Sequence, residues 1–323
     1  MRNGNAPIDS EGTAIDISVV IPVYNEEKNV TILYGEINDA LGGRTGSYEV
    51  IFVNDGSTDG TLSELKRISG GGRLRILDLE RNYGQTAAIK AGFDAARGDV
   101  IVTMDGDLQN DPRDILPLAE KLDEGYDLVV GWRRKRKDPF FSKVLPSISG
   151  NAVIAFTLDT RIHDLGCTLK AYRRQVVEKL ELFGQMHRFI PALAALKGAR
   201  VAEMEVHHRP RIHGKTKYGF SRALRVLSDL LVVAYLSGKG IDPVVFSGSL
   251  AATAGAAGLA TLLAAFASGA SASGRAAGFL AVFSVLFFLA SFQFIIMAFM
   301  ALSSVRAYRR PGGKAIYRIR QTI

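Results

Sequence analysis

Two stretches of the chain carry no charged side chain: residues 244–268 (VVFSGSLAATAGAAGLATLLAAFAS) and residues 277–303 (AGFLAVFSVLFFLASFQFIIMAFMALS). Each exceeds the ~20 apolar residues that a helix needs to cross a bilayer. A pair of buried helices in a soluble core is the competing reading, but uncharged runs of this length are rare in soluble folds, and we read a transmembrane hairpin. Its connecting segment, GASASGR, holds one arginine, whereas Arg306, Arg309, Arg310 and Lys314 follow the second run. Cationic residues stay on the cytoplasmic side, so both ends of the hairpin and the long segment before it are expected there. Residues 1–17 show neither an apolar run nor a clustered positive start, and no cleaved leader is expected. The expected location is an integral protein of the plasma or inner membrane.

A chain of 323 residues leaves room for one substantial globular domain before the hairpin. Its single cysteine, Cys167, cannot form an intramolecular disulfide, which fits a reducing compartment. The formal charge of +8 is concentrated in Arg133–Lys137, Arg200–Lys217 and Arg306–Arg320. Beside two membrane spans, such clusters point to an anionic lipid surface and acidic substrates, and no nucleic-acid partner is expected.

Between Ile17 and Trp132 five short apolar runs (ISVVIPV, YEVIFVND, LRILDL, DVIVTMD, YDLVVGW) alternate with helix-like segments. Continuous Val and Ile runs mark strands buried on both faces, and the alternation implies parallel crossover units, hence an open α/β sheet. Ligands of such sheets sit at the carboxyl ends of the strands. Those ends read Pro22-Val23-Tyr24-Asn25-Glu26, Asn54-Asp55-Gly56 and Asp105-Gly106-Asp107.

Several familiar sites are excluded. No GxGxxG is present, and Gly214-Lys215-Thr216 is not a P-loop, because Arg209 stands where its first glycine belongs. HExxH and cysteine clusters are also missing. What remains is VTMDGDLQNDP, in which Asp105, Asp107 and Gln109 alternate and share one side if the chain stays extended. Oxygen ligands of this kind suit Mg²⁺ or Mn²⁺ bound together with substrate phosphates; a plain Asp- and Asn-rich turn leading into a helix at Pro112 is the bland alternative. In VNDGSTDGT a carboxylate at a strand end can accept from a nucleobase or ribose, with Ser57, Thr58 and Asp59 as caps for the next helix.

Taken together, IPVYNEE, VNDGSTDGT, NYGQTAAIKAGFDAARGD and MDGDLQNDP resemble the family 2 inverting glycosyltransferases of the GT-A fold. DLGCTLKAYRR, FIPALAALKG and VHHRPRIHGKTKYGF are similar to the polyprenyl-phosphate glycosyltransferase group, and the resemblance spans about residues 17–237. It implies a mixed, mostly parallel sheet with flanking helices, followed by an interfacial helix and the hairpin. The expected divisions are a polar extension (1–16), a cytoplasmic catalytic domain (17–217), an amphipathic juxtamembrane helix (218–243), two spans (244–303) and a basic cytoplasmic tail (304–323). Activity would be transfer of one sugar, with inversion, from a nucleotide sugar, expected to be UDP-linked, to a polyprenyl phosphate.

The resemblance also implies roles residue by residue. Pro22, Tyr24, Glu26 and Asp55 would line the base and ribose pocket, Asp105 would face ribose and diphosphate, and Asp107 and Gln109 would hold the metal. The family commonly has two acids at the second strand end; here Asn54 stands in the first place. Arg133, Lys143 and Ser147 match acceptor-phosphate positions, and Arg211, His213 and Lys215 lie in a basic loop resembling the family's mobile loop over the phosphates. A lipid phosphate favours forked, cationic donors such as arginine. Arg134 to Lys137 read better as a solvated face held to anionic lipid. Asp164 lies where inverting members place a catalytic base; because a phosphomonoester is largely dianionic at neutral pH, its expected task is chiefly to orient.

Residues 218–237 space Phe220, Leu224, Leu227, Leu231 and Ala234 at helical intervals, the pattern of an interfacial helix, with a core helix as the alternative. His163, His187, His207 and His208 show no metal-ligand pattern and are expected to be structural. Gly255 and Gly258 would permit close packing between copies in a homo-oligomer. A processive polysaccharide synthase would carry QxxRW, yet the only tryptophan, Trp132, follows Val129-Val130-Gly131. A scaffold without chemistry would show decay at Asp105 or Asp107, and both are intact.

Overall fold

A computed structural model describes residues 15–43, 47–70, 72–134, 162–182, 184, 186–210, 243–269, 274–308 and 316–323. It divides into two units, Met1–Ser237 with Ala315–Ile323, and Gly238–Lys314.

In the first unit the five apolar runs are β1 (Ile15–Val23), β2 (Ser47–Asn54), β3 (Leu74–Leu79), β4 (Val100–Thr103) and β5 (Leu128–Trp132). Among the described residues they are interleaved with α1 (Val30–Leu41), α2 (Thr61–Ile68), α3 (Gln85–Ala95) and α4 (Ile115–Lys121). Then follow β6 (Lys170–Arg173), α5 (Arg174–Glu178), α6 (Ile190–Leu196) and β7 (Val201–Glu205). The sheet order is β7-β5-β6-β4-β1-β2-β3, with β8 (Ile319–Thr322) added beyond β3. β1 pairs in parallel with β2 and β4, β2 with β3, and β5 with β7; β6 runs antiparallel to β4 and β5. The expected mixed, mostly parallel sheet is therefore present.

Alternation along β1 explains why its run is apolar from Val19 to Val23. Val19 and Ile21 join the core under α1, α2 and α4, with Leu33, Ile37, Leu65 and Leu118, while Val20 joins the other core with Ala88 and Phe93 of α3. On that second face α3 lies so close that a Cβ at Gly92 would come within 2.2 Å of Val20.

Part of the segment 304–323, expected as a basic cytoplasmic tail, adds a strand to the sheet. Ile319–Thr322 pair antiparallel with β3, Gln321 standing opposite Asp78. The reason is electrostatic as well as geometric. Asp78 is fully buried, and its carboxylate accepts from Asn54 Nδ2 at 2.7 Å, Gln321 Nε2 at 3.2 Å and Arg320 Nη1 at 3.5 Å. β8 thus covers an otherwise open sheet edge and supplies the countercharge to a buried acid.

The second unit is two helices, α7 (Pro243–Gly269) and α8 (Gly274–Tyr308). Val244–Ser268 and Arg275–Met300 are long and apolar enough to cross a membrane, with mean hydropathy 1.8 and 2.5. Unlike core helices they leave their large side chains uncovered; Phe266 is 74% and Phe279 70% exposed. Where they meet, Ser284 Oγ donates to the Gly258 carbonyl (2.9 Å) and Ser291 Oγ to that of Ala251 (2.8 Å). A Cβ on Gly255 would meet Ser291 at 3.3 Å and one on Gly258 would meet Phe288 at 3.2 Å. These glycines therefore allow close packing within the hairpin. The amphipathic helix expected over 218–243 lies outside the described residues, except for Pro243 at the start of α7.

Ending the chain after Ala315 should remove β8, bare the β3 edge and strip Asp78 of Arg320 and Gln321. A fall in melting temperature of at least several degrees in detergent is expected, from a loss of about 3 kcal/mol or more. An unchanged thermal midpoint would show that β8 adds nothing to the domain.

Candidate functional site

The carboxyl ends of β1 to β5 and the amino end of the reversed strand β6 share one rim of the sheet. On β1 and the loop after it, Pro22, Tyr24 and Glu26 are half-buried. That loop turns at Asn25, whose φ is +56°, and is pinned across to the loop after β2 and the start of α2: Ser57 Oγ accepts from Asn25 N (3.0 Å), Asn25 Oδ1 from Thr58 N (2.8 Å) and Thr61 Oγ1 from Glu26 N (2.9 Å). Of the three expected caps, Asp59 bonds the helical Thr61 N–H, while Ser57 and Thr58 hold the neighbouring loop.

Asp55 is buried at the end of β2, and its two oxygens accept from the backbone N–H groups of Tyr83 (2.7 Å) and Gly84 (2.9 Å). The approach depends on Gly56. Its φ is +65°, and a Cβ there would lie 2.4 Å from the Arg81 carbonyl carbon. Burial raises the Asp55 pKa, and the two amide bonds oppose that shift. Asp55 thereby joins the β2 and β3 loops into one wall.

The Asp105 to Gln109 segment is bent, not extended. Leu108, buried, has φ +62°, so the argument that alternation places all three side chains on one side fails at that residue. What holds the segment is local: Asp107 Oδ1 accepts from Gln109 N (3.2 Å), Asn110 Oδ1 from Asp105 N (3.3 Å) and from Thr168 Oγ1 (3.2 Å). Asp105 Oδ1 accepts from Gln85 Nε2 at 2.8 Å. The bland reading of a turn into a helix is also realised, since Asp111 caps the short 3₁₀ turn Pro112–Asp114 that leads into α4.

Segment 206–210 is laid along this loop. Arg209 N donates to the Gln109 carbonyl (2.9 Å), and its guanidinium pairs with Asp111 (3.0 Å) and Glu36 (2.8 Å). His207 binds Asp114 (2.8 Å), and Asn110 bridges to His208. His187 meets the Thr86 hydroxyl at 2.8 Å, and His163 meets Glu203 at 2.7 Å. His163, His187 and His207 thus meet residues outside the expected metal set, whereas His208 Nε2 lies 3.5 Å from the Gln109 amide nitrogen.

Arg133 and Asp164 form the other half of the rim. Arg133 Nε donates to Asp164 Oδ2 (2.7 Å), Nη2 to Oδ1 (3.0 Å) and the backbone N–H to Oδ2 (3.3 Å). Burial alone would lower the Arg133 pKa, but Asp164 outweighs it and the guanidinium stays charged. Glu203 of β7 accepts from the backbone N–H groups of His163 (2.8 Å) and Asp164 (3.0 Å), and Trp132 stacks on His163 at 4.7 Å. Lys143, Ser147, Arg211, His213 and Lys215 lie outside the described residues. Gln85 and Thr168, which touch Asp105 and Asn110, escaped the sequence reading because neither stands in an acidic or basic pattern.

The donor set can be tested for a divalent cation. Among the described residues no three His, Cys, Asp or Glu side chains converge to hold a metal. Asp105 and Asp107 nevertheless face each other closely enough that burial, and then the charge of Asp107, push the Asp105 carboxyl up to about 6. Two crowded carboxylates short of further protein ligands fit an ion of the Mg²⁺ type, which keeps one or two carboxylates and takes its other oxygens from phosphate or water. The Gln109 amide nitrogen lies 3.4 Å from the Arg209 carbonyl, which leaves its oxygen as the donor atom for a cation.

Fold and rim together define the class, a glycosyltransferase of the GT-A type. Residues 18–181 match the Glycosyl transferase family 2 profile, and the chain belongs to that family. Dodecaprenyl-phosphate galacturonate synthase of Rhizobium johnstonii is 43% identical over 268 residues, 81% of this chain and 78% of that protein. Undecaprenyl-phosphate 4-deoxy-4-formamido-L-arabinose transferase of Aeromonas hydrophila subsp. hydrophila is 40% identical over 217 residues, 67% of this chain and 66% of that protein. Glucosyl-3-phosphoglycerate synthase from Mycobacterium tuberculosis, crystallised with Mn²⁺, UDP-glucose and phosphoglyceric acid, superposes with TM-score 0.54 at 20% identity, over 68% of this chain and 80% of that one. At that identity the likeness concerns the fold.

A cation bound beside Asp105 competes with the proton that this carboxyl takes up. Mn²⁺ affinity should therefore be level above about pH 6 and weaken below it, by up to tenfold per unit. Electron paramagnetic resonance titration of Mn²⁺ against the purified protein reads this directly; equal affinities at about pH 5 and about pH 7 would contradict it.

Proposed function

We propose that the protein transfers one sugar from a nucleotide-sugar donor, UDP-linked by preference, to a polyprenyl phosphate on the cytoplasmic face of a membrane, with inversion. The observation that carries the reading is the two-pronged pair of half-buried Arg133 with buried Asp164, on the same rim as Asp105 and Asp107. Such a pair holds a guanidinium ready for a phosphoryl group, and the two curated relatives named above are polyprenyl-phosphate sugar transferases.

In this reading Pro22, Tyr24, Glu26 and Asp55 form the base and ribose wall, and Asp105 lies against ribose and diphosphate. Asp107 and Gln109 would hold Mg²⁺ or Mn²⁺, which neutralises charge on the departing diphosphate. Arg133, with Lys143, Ser147, Arg211, His213 and Lys215, receives the acceptor phosphate. One of its oxygens forms the new bond to the anomeric carbon from the face opposite the nucleotide, the bond to the diphosphate oxygen breaks, and the nucleoside diphosphate leaves. No proton need be removed, because the phosphomonoester is mostly dianionic at neutral pH. Asp164 spends both oxygens on Arg133, which suits an orienting role.

The sheet itself supports the topology. β8 follows the hairpin in sequence yet pairs with β3, so the chain that leaves the catalytic domain for the hairpin returns to that domain. Both hairpin ends then belong on the domain's side, which the cationic residues after α8 mark as cytoplasmic.

The test is incubation with labelled UDP-galacturonic acid, a UDP-linked formamido-arabinose, UDP-glucose and GDP-mannose, each with polyprenyl phosphate, and separation of the lipid product. A sugar-bearing lipid with at least one donor is expected, lost in Asp107→Ala; nucleotide-sugar hydrolysis without lipid product would sink the reading. Asp164→Asn should slow turnover by a similar factor from about pH 6.5 to about pH 8.5, since it leaves Arg133 misaligned at every pH. A deficit that closes as the acceptor deprotonates would instead make Asp164 a base.

A further inference from the structure

Lys170 opens β6, opposite Thr103 of β4 and Val130 of β5, and so stands at the level where β4 runs into Asp105 and β5 into Arg133. It is 3% exposed. The charged and titratable groups around it are Cys167, Asp164, Arg133 and Asp105. None of them neutralises it by direct contact. The Cys167 thiol is pushed up to about 11 by burial and is uncharged at neutral pH. Both Asp164 oxygens accept from Arg133, and Asp105 is engaged by Gln85 and Thr168. Among the described residues no hydrogen bond or ion pair engages the Lys170 ammonium.

A buried ammonium without an acceptor costs several kcal/mol, and an apolar side chain of similar length would serve the core better. Stability therefore does not account for a lysine here. Burial presses its pKa down to about 8, so it remains largely charged at neutral pH. Next to a second buried cation, at the rim where the site lies, its missing partner is an anion from outside the protein.

We propose that Lys170 is a binding residue for a phosphoryl oxyanion, acting beside Arg133, and that the substrate completes its coordination. The inference rests on the sugar-transfer reading for the identity of the phosphate, which belongs either to the nucleoside diphosphate or to the polyprenyl phosphate. Both present the same oxyanion chemistry.

The experiment uses the full-length protein in detergent with Lys170→Met, Lys170→Gln and Lys170→Arg. Calorimetric titration with UDP forms one arm and with farnesyl phosphate the other, and melting temperature is read alongside. Loss of one charge-assisted bond should weaken at least one ligand by about tenfold or more in the Met and Gln variants, with Arg recovering most of it. The arm that responds names the phosphate. The melting temperature of Lys170→Met should hold or rise, because an unpaired buried charge has been removed. Affinities within twofold in both arms overturn the proposal, as does a fall in melting temperature with binding intact, which would make Lys170 a countercharge to Asp105 and Asp164. Lys170→Gln carries the same expectations should the Met variant fail to fold. Binding is measured without turnover, so a wild type that binds UDP but glycosylates no lipid would defeat the functional reading while leaving this one open to decision.

Discussion

Both faces of the central sheet are buried, and that single constraint drives the polar chemistry of this chain to the strand ends. β1 shows it most clearly: its successive valines and isoleucines enter opposite cores, and its buried Ser18 is spent on Glu49 and the Gly98 amide. Only where β1, β2, β4 and β5 run out does the backbone turn away, and there stand Tyr24, Asp55, Asp105 and Arg133. β6 enters from the opposite direction and brings its first residue, Lys170, to the same rim.

Collecting charges at a partly dry rim is costly, and the structure meets that cost with specific partners. Asp55 is satisfied by two backbone amides, Asp164 by a forked guanidinium and Asp111 by Arg113 and Arg209. Asp105 is less well compensated, and burial, then the nearby charge of Asp107, push its carboxyl upward. Lys170 is the cationic counterpart of that imbalance. Groups left short of partners inside an otherwise satisfied network are where ligands belong, because the ligand supplies what the fold withholds.

The chain's last residues, beyond the hairpin, return to the sheet. A pair of apolar helices that merely trailed from the domain would leave β3 as an open edge and Asp78 as a buried acid short of donors. β8 closes both gaps. Through Asn54, which bonds Asp78 and accepts from Ser57 N, this contact continues to the strand end that carries Asp55. The asparagine that replaces an acid of the common family pattern thus has a role here, as the uncharged neighbour of a buried carboxylate.

The sequence by itself determined the strands of the parallel core, the membrane-spanning length of the helices and the family. Those properties follow from period, length and short motifs, which are local. Asp55, Asp105, Asp107, Arg133 and Asp164 could be singled out for the same reason, each lying in a recognisable string at a strand end or next to one. Tertiary structure alone decided who touches whom. That Asp164 grips Arg133 across 31 residues, that Gln85 reaches Asp105, that Leu108 bends the acidic loop and that Gly255 and Gly258 face α8 are outcomes of packing between distant segments. β6 and β8 do not stand out in the sequence because KAYR and IRQT carry charged residues and no continuous apolar run, unlike the equally short VIVT of β4. Lys170 looked like any lysine in a basic segment; only the antiparallel return of β6 between β4 and β5 removes it from water and sets it beside the acids of the rim.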